Sequence, residues 1–172
     1  MTDALHLADL PREEADRYRG AADRPLGGYL GLLGAYSAAT GLGALAVRRR
    51  GPLPDRPSLT DLGLVALATF RSSRVLTKDS VTSPLRAPFT EYEGPAGNAE
   101  LHEHVRGRGA QKAMGELLTC PFCVSQWIGT GLTFGMLLAP RATRQVAGAM
   151  SAMAVSDLLQ FVRAYLEKVS SR

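Results

Sequence analysis

A single uncharged apolar stretch, Leu26 to Val47, restricts what this chain can fold into more than any other feature. It contains no acidic or basic side chain and stops at three consecutive arginines, Arg48, Arg49 and Arg50. An α-helix rises about 1.5 Å per residue, so the stretch covers roughly 30 Å, the thickness of the hydrocarbon core of a bilayer. Residues 26–47 are therefore predicted to form a transmembrane helix.

Three further apolar stretches predict additional membrane-inserted helices. The stretch at 59–77 contains Arg71 and Arg74, so this helix is expected to lie tilted and to span the bilayer only in part. The stretches at 122–139 and 146–162 are apolar and are joined by a short connection, which favours a tight antiparallel hairpin.

The predicted fold class is all-α: an integral membrane helical bundle of three to four inserted helices, arranged as two hairpins. The membrane domain is placed at residues 26–165. It includes a polar central loop at 79–115 and is flanked by a polar N-terminal tail at 1–25 and a C-terminal tail at 166–172. A structureless loop as long as the central one is unusual unless it is functional or flexible.

Small side chains recur at every fourth position of the first apolar stretch, at Gly27, Gly31, Ala35, Ala39 and Gly43. This spacing places them on one face of a helix. In a membrane such a face allows a neighbouring helix to approach closely. The stripe is therefore predicted to be a packing surface.

The basic residues flank the apolar stretches and form no single dense run, although the formal net charge is +4. This distribution indicates a lipid bilayer as the partner and argues against nucleic acid. The connections at 48–58 and 140–145 carry fewer basic side chains than the termini and the central loop together. The positive-inside rule therefore predicts a multi-pass protein of the bacterial cytoplasmic membrane with cytoplasmic termini, although the triple arginine argues the other way.

The sharpest local motif is a Cys-Pro-Phe-Cys sequence that begins at Cys120 and ends at Cys123. Such a pair suits a dithiol redox couple, or half of a tetrahedral zinc site that His102 and His104 would complete. No βαβ pattern precedes the motif, which counts against a thiol oxidoreductase. The remaining interpretation is that both cysteines stay reduced and cap a helix at the membrane interface.

Asp157 is an acidic residue inside the fourth apolar stretch. A carboxylate within a membrane segment costs several kcal/mol unless it is paired or hydrated. Arg71 and Arg74 are expected at a similar depth on the second helix. We therefore predict an intramembrane ion pair between Asp157 and one of these arginines; the alternative is that Asp157 reaches the water at the lipid headgroups.

Two blocks of residues carry a resemblance to a known family. The first contains Arg74, Asp79, Thr82, Pro84 and Arg86, and the second is a Gly-Glu-Leu-Leu-x-Cys-Pro-x-Cys-x-x-x-Trp sequence that includes Glu116, Cys120, Pro121, Cys123 and Trp127. Together they resemble the bacterial family of unknown function DUF1360, over roughly residues 60–165. The resemblance implies a small membrane protein of the kind found in spore-forming and actinomycete-like bacteria, and it implies no established activity.

The function that these features favour is non-enzymatic. We expect a membrane structural, adaptor or accessory protein without a cofactor, whose central loop docks a protein partner or a second copy in a homo-oligomer. The alternative is a membrane-bound thiol-redox or zinc-binding protein that acts through Cys120 and Cys123. A small transporter is least favoured, because the apolar stretches lack a polar lining.

Overall fold

Helices make up most of the chain in the computed structural model, which describes residues 14–20, 23–53, 56–97 and 100–170. Residues 14–19 are helical. The elements that follow are α1 (Leu26–Arg50), α2 (Leu59–Lys78), a 3-10 turn (Ser80–Thr82), α3 (Ser83–Arg86), β1 (Thr90–Gly97), β2 (Glu100–Val105), α4 (Gly109–Thr119), α5 (Pro121–Leu138) and α6 (Pro140–Ser170).

The four long helices α1, α2, α5 and α6 alternate in direction. Arg50, at the end of α1, donates a hydrogen bond to the Leu138 carbonyl at the end of α5. Asp61, in the first turn of α2, accepts two hydrogen bonds from Arg144 in the first turns of α6, at 2.8 and 2.7 Å. We call this the arginine end of the molecule. The opposite end, which carries β1, β2 and α4, is the hairpin end.

α2 lies at the centre of the assembly, against both α5 and α6. The residues at these contacts are small: Ala68 in α2 and Ala147 and Ala154 in α6 are buried. The Ser151 hydroxyl of α6 donates to the Leu64 carbonyl of α2 at 3.0 Å. Small side chains and interhelical hydrogen bonds are the means by which helices associate closely in lipid.

The prediction of an all-α chain with a structureless loop at 79–115 is wrong for this region. β1 and β2 pair antiparallel, with Thr90 opposite Val105 and Glu91 opposite His104. The register shifts twice, between Tyr92 and Gly94 and again between Pro95 and Gly97. Gly94, Pro95 and Gly97 lie at these irregularities, which are the places where a strand tolerates glycine and proline. The structure is therefore mostly helical with a two-stranded sheet.

α6 is longer than the predicted segment at 146–162 and includes most of the predicted tail at 166–172. It begins at Pro140. Proline is well tolerated in the first turn of a helix, since the backbone N–H groups there have no partner within the helix. Charged residues at both of its ends mark a change in polarity and do not interrupt the helix. Residues 171–172, like residues 1–13 and 21–22 of the predicted N-terminal tail, lie outside the described part of the chain.

Within the described residues, α1 is the one helix that is long and apolar enough to cross a membrane by itself. Val47 is its only buried residue. Leu30, Leu33 and Leu42 are 68%, 60% and 68% exposed. The structure thus presents one candidate span near the N-terminus, and the further inserted helices of the expected bundle stay a prediction.

α1 contacts the rest of the chain through a narrow face that differs from the predicted small-residue stripe. Tyr36 packs edge-on against Trp127 of α5, with ring centroids 5.2 Å apart. Gly43 lies against the Phe134 ring and Gly28 against α4, whereas no atom would lie within 4 Å of a Cβ at Gly31. The predicted stripe is therefore mostly outward-facing, and Gly43 is its one glycine at a contact.

The approach of α1 to α4 gives a matched test of this face. A Cβ at Gly28 would lie 2.6 Å from the Ala113 Cβ and 3.0 Å from the Gly109 carbonyl oxygen, while one at Gly27 would meet nothing within 4 Å. We expect Gly28→Val to lower the stability of the detergent-purified chain by about 1–3 kcal/mol, through overpacking. Gly27→Val should cost less than about 1 kcal/mol. Equal thermal shifts for the two variants would contradict the contact.

Candidate functional site

Arg86 is the most buried charged residue at the hairpin end. Its side chain is fully buried, and α3 places it beneath the C-terminus of α2. It donates hydrogen bonds to the Leu76 carbonyl at 2.8 Å, the Thr82 hydroxyl at 2.7 Å and the Asp79 carbonyl at 3.1 Å. The last carbonyls of a helix have no partner within the helix. Arg86 therefore supplies hydrogen-bond donors to carbonyl groups at the C-terminus of α2.

Arg86 also fixes the β-hairpin to this helix end. Its Nε donates to the Glu103 carboxylate on β2, whose side chain is only 6% exposed. Glu103 lies opposite Tyr92 in the hairpin. Four of the five guanidinium donors are thus paired, and a buried charge of this kind is strongly destabilising once a partner is removed. The ion pair thus makes α2, α3 and the hairpin one structural unit.

Arg71 lies between two carboxylates. Its Nη2 is 3.5 Å from Asp79 Oδ2, and its Nε is 3.0 Å from Asp157 Oδ2 on α6. The Nε–H is not directed at the Asp157 oxygen, and this buried nitrogen has no aligned acceptor. The contact is therefore an ion pair without a well-formed hydrogen bond. Of the two predicted partners for Asp157, the structure places Arg71 beside it.

Arg74 has a different partner. Its guanidinium donates to the Glu100 carboxylate at the start of β2, and its charged carbon lies 5.9 Å from the centre of the Phe70 ring. Glu100 also forms an isolated β-bridge with Asp79, so the backbone after α2 is held against the hairpin. Arg71 and Arg74 thus connect the same helix to α6 and to the sheet, respectively.

These charged residues line an open cavity of about 550 Å³ between α2 and α6, which we call the charged groove. Its lining combines three arginines and four carboxylates with apolar side chains. The charged members are Arg71, Arg74, Arg163, Asp79, Glu100, Asp157 and Glu167, and the apolar ones include Phe70, Ala154, Leu158 and Phe161. A groove of this size with both charge signs and an apolar wall has the character of a binding site.

The Cys-Pro-Phe-Cys motif forms the junction between α4 and α5. Both cysteines are free; Cys120 is half-buried and Cys123 is exposed. Cys120 is the N-cap of α5, and its sulfur accepts a hydrogen bond from the Cys123 N–H at 3.2 Å. Pro121 occupies the first helical position, where its missing N–H is not needed. The motif thus has a local geometric role at a helix start.

His102 and His104 lie on β2 and both face Glu93 of β1, at 2.6 and 3.7 Å from its carboxylate oxygens. No group of three or more histidine, cysteine or acidic side chains in the described ranges is arranged to hold a metal ion. The structure therefore does not bring these histidines together with Cys120 and Cys123. The four residues do not fit a zinc ion in this arrangement.

The other motif residues join α1 to the core. The Tyr29 hydroxyl donates to the Glu116 carboxylate on α4. Trp127 packs on Tyr36, whose hydroxyl lies 2.7 Å from the Thr130 hydroxyl and accepts from Gln126 at 2.9 Å. These three polar contacts link α1 to α4 and to α5. The residues of the second sequence block are therefore placed where three helices meet.

Sequence reasoning missed the acidic partners of the arginines. Glu100 and Glu103 were assigned to a loop, and nothing in their local pattern indicates which arginine each would face. The pair of Asp61 and Arg144 at the arginine end was missed as well; its hydrogen bonds and charge raise the pKa of the Arg144 guanidinium above its ordinary value. All three carboxylates lie far from their partners along the chain or in a different element.

Comparisons with known proteins agree with the motif blocks. A family model described as "Protein of unknown function (DUF1360)" matches residues 64–163. A protein of Bacillus subtilis named "Sporulation protein YjcA" is 33% identical over 84 residues, which cover 47% of this chain and 71% of that protein. No solved structure matches the chain. The resemblance suggested by the two blocks is confirmed.

Proposed function

Because the chain belongs to the DUF1360 family and is similar to a protein named for sporulation, we propose that it is a multi-pass membrane accessory protein that acts in spore formation without catalysing a reaction. The observation that carries this proposal is the segregation of its surfaces. α1 exposes its leucines from Leu30 to Leu45, whereas buried and half-buried ion pairs hold the hairpin end together.

A water-soluble monomer does not leave a helix such as α1 uncovered, because contiguous exposed apolar surface of that size drives association. A bilayer would cover it. The lengths of the other long helices are compatible with insertion beside it: α2 has 20 residues, which rise about 30 Å, and α5 has 18, which rise about 27 Å. We propose that α2, α5 and α6 are inserted with α1, with the hairpin end on the cytoplasmic side.

The hairpin end would then be the part that meets soluble partners. It is fixed to α2 through Arg86 and Glu103, so a protein bound to the hairpin would be held at a constant distance from the membrane. This supports an adaptor or structural role. No group of three or more histidine, cysteine or acidic side chains in the described residues could hold a metal ion, which leaves the zinc alternative without a geometric basis.

One strain set tests both parts of the proposal. In a host strain that lacks the gene, the wild-type chain should remain in the membrane pellet after an alkaline carbonate wash and should restore the number of heat-resistant spores. A variant with Leu33→Asp and Leu42→Asp should do neither, since each carboxylate at the centre of a span costs about 2.5–3.5 kcal/mol.

The control is Tyr92→Asp, an exposed change on the hairpin that should leave the chain in the pellet. Release of the wild-type chain by carbonate would refute membrane insertion. Normal spore counts in the strain without the gene would refute the role in spore formation.

A further inference from the structure

The charged groove between α2 and α6 is lined by apolar and charged side chains along the length of both helices. Both helices run from the arginine end to the hairpin end. Phe70 and Ala154 line the groove and precede its charged residues in their helices, so they lie on the side toward the arginine end. Arg163 and Glu167 follow Asp157 and lie furthest along α6. Leu158, Phe161 and Ala164 lie between these charged residues along α6, so an occupant would meet apolar and charged side chains next to each other.

The charges in the groove also restrict the occupant. Three guanidiniums and four carboxylates face the same space, so a purely anionic group would meet an excess of carboxylates and a purely cationic one would meet the arginines. Arg163 and Glu167 are paired at 2.8 Å but are 80% and 64% exposed. An ion pair that is so exposed is weak, so each of its side chains can bind a charged group of a ligand instead. The groove is complementary to a group that carries both a negative and a positive charge.

Apolar and zwitterionic character occur together in phospholipids. A phosphate accepts bidentate hydrogen bonds from arginine. A primary ammonium donates hydrogen bonds to carboxylates, which a quaternary ammonium cannot do, and a glycerol headgroup has no positive charge to offer. We propose that the charged groove binds the headgroup of phosphatidylethanolamine, with its phosphate toward Arg74 and Arg163, its ammonium toward Asp157 and Glu167, and an acyl chain along Phe70 and Ala154.

This inference rests on the proposed membrane insertion, which places the groove at the level of the headgroups. The cavity of about 550 Å³ lies within the range of sites that hold small ligands. Arg71, which also lines the groove, has a buried Nε without an aligned acceptor. A bound headgroup therefore has donors and acceptors available on both helices.

Native mass spectrometry of the full chain in detergent tests the assignment. With equal additions of phosphatidylethanolamine, phosphatidylglycerol and phosphatidylcholine, the first should bind about tenfold or more tightly, since each charge-assisted hydrogen bond lost in the others is worth at least that factor. Arg163→Gln with Glu167→Gln should remove this preference. Both side chains are exposed, so the double variant should keep the thermal stability of the wild type.

The matched control is Arg141→Gln, an exposed position at the other end of α6. It should bind the three lipids as the wild type does. Equal binding of all three lipids, or an unchanged preference in the double variant, would overturn the assignment. Displacement of the lipid by millimolar soluble phosphoethanolamine would also overturn it, in favour of a soluble ligand.

The outcome is separable from that of the carbonate wash. A chain that stays in the membrane pellet but binds the three lipids equally refutes only the lipid site. A chain that carbonate releases refutes the membrane insertion itself.

Discussion

Replacing Arg86 with alanine should lower the stability of this protein more than any other single substitution at the hairpin end. The change leaves the Glu103 carboxylate buried and unpaired and removes the donors to the Leu76 and Asp79 carbonyls. Breaking a buried ion pair in this way costs about 3–5 kcal/mol. In a domain of this size that corresponds to a midpoint of thermal unfolding roughly 10 °C lower. Scanning fluorimetry of the detergent-purified chain measures the shift.

Two further variants separate the charge from its hydrogen bonds. Arg86→Lys keeps a positive charge but cannot reproduce the planar fork of donors, so it should recover only part of the loss. Arg86→Met combined with Glu103→Leu removes both charges and should recover more than half of it, although two backbone carbonyls remain unpaired.

The control is Arg106→Ala. This arginine is exposed and donates to a single carbonyl, that of Ala87, at 3.0 Å, so its removal should cost less than about 1 kcal/mol. If Arg86→Ala unfolds at the same temperature as Arg106→Ala, the buried network does not hold the hairpin.

The second large effect is expected at the ion pair between α2 and α6. Asp157→Arg would place a second guanidinium beside Arg71, whose Nε is 3.0 Å from the native carboxylate. Like charges at this distance repel each other, so, on the proposed membrane insertion, the variant should accumulate in membranes several-fold less than the wild type. Arg71→Asp should fail in the same way, because it would gather three carboxylates.

Combining the two substitutions restores opposite charges and should recover a coupling energy of about 1–3 kcal/mol. Recovery is expected to be partial, because Asp79 lies 3.5 Å from Arg71 Nη2 and would then face an aspartate at position 71. The informative control is Asp157→Arg with Arg74→Asp. Arg74 pairs with Glu100, so this combination should show no recovery. Immunoblots of membrane fractions compare the four variants with the wild type. Equal recovery with Arg74→Asp would contradict the pairing of Asp157 with Arg71.

The parts of this structure that could be predicted from sequence are those whose cause is local. α1 follows from an uninterrupted run of apolar residues. The start of α2 follows from Ser58, whose hydroxyl accepts from the Asp61 N–H at 3.0 Å. The ion pair of Asp157 with an arginine of α2 was predicted from the position of an acidic residue in an apolar helix, which limited its candidate partners to Arg71 and Arg74.

The hairpin end could not be predicted, because its causes are not local. Glycine and proline residues at 94–97 match a loop as well as an irregular strand, and only pairing with β2 decides between them. The small residues at every fourth position of α1 predicted a helix-packing surface, but most of them face outward. Every face of that helix carries small residues, so their spacing does not show which face is packed. Gly28 is at a contact because α4 packs against it, and the residues of α4 were part of the predicted loop.

The sequence separation of the contacts around Arg86 has a consequence for how the chain is made. Arg86 lies 10 residues from Leu76 and 17 from Glu103, and Arg74 lies 26 from Glu100. By contrast, Arg144 is 83 residues from Asp61 and Ser151 is 87 from Leu64. Chains fold during synthesis from the N-terminal side, and short-range contacts close fastest. The hairpin is therefore expected to pack on α2 while α5 and α6 are still being translated. The later helices would then pack against a unit of α2 and the hairpin that has already folded.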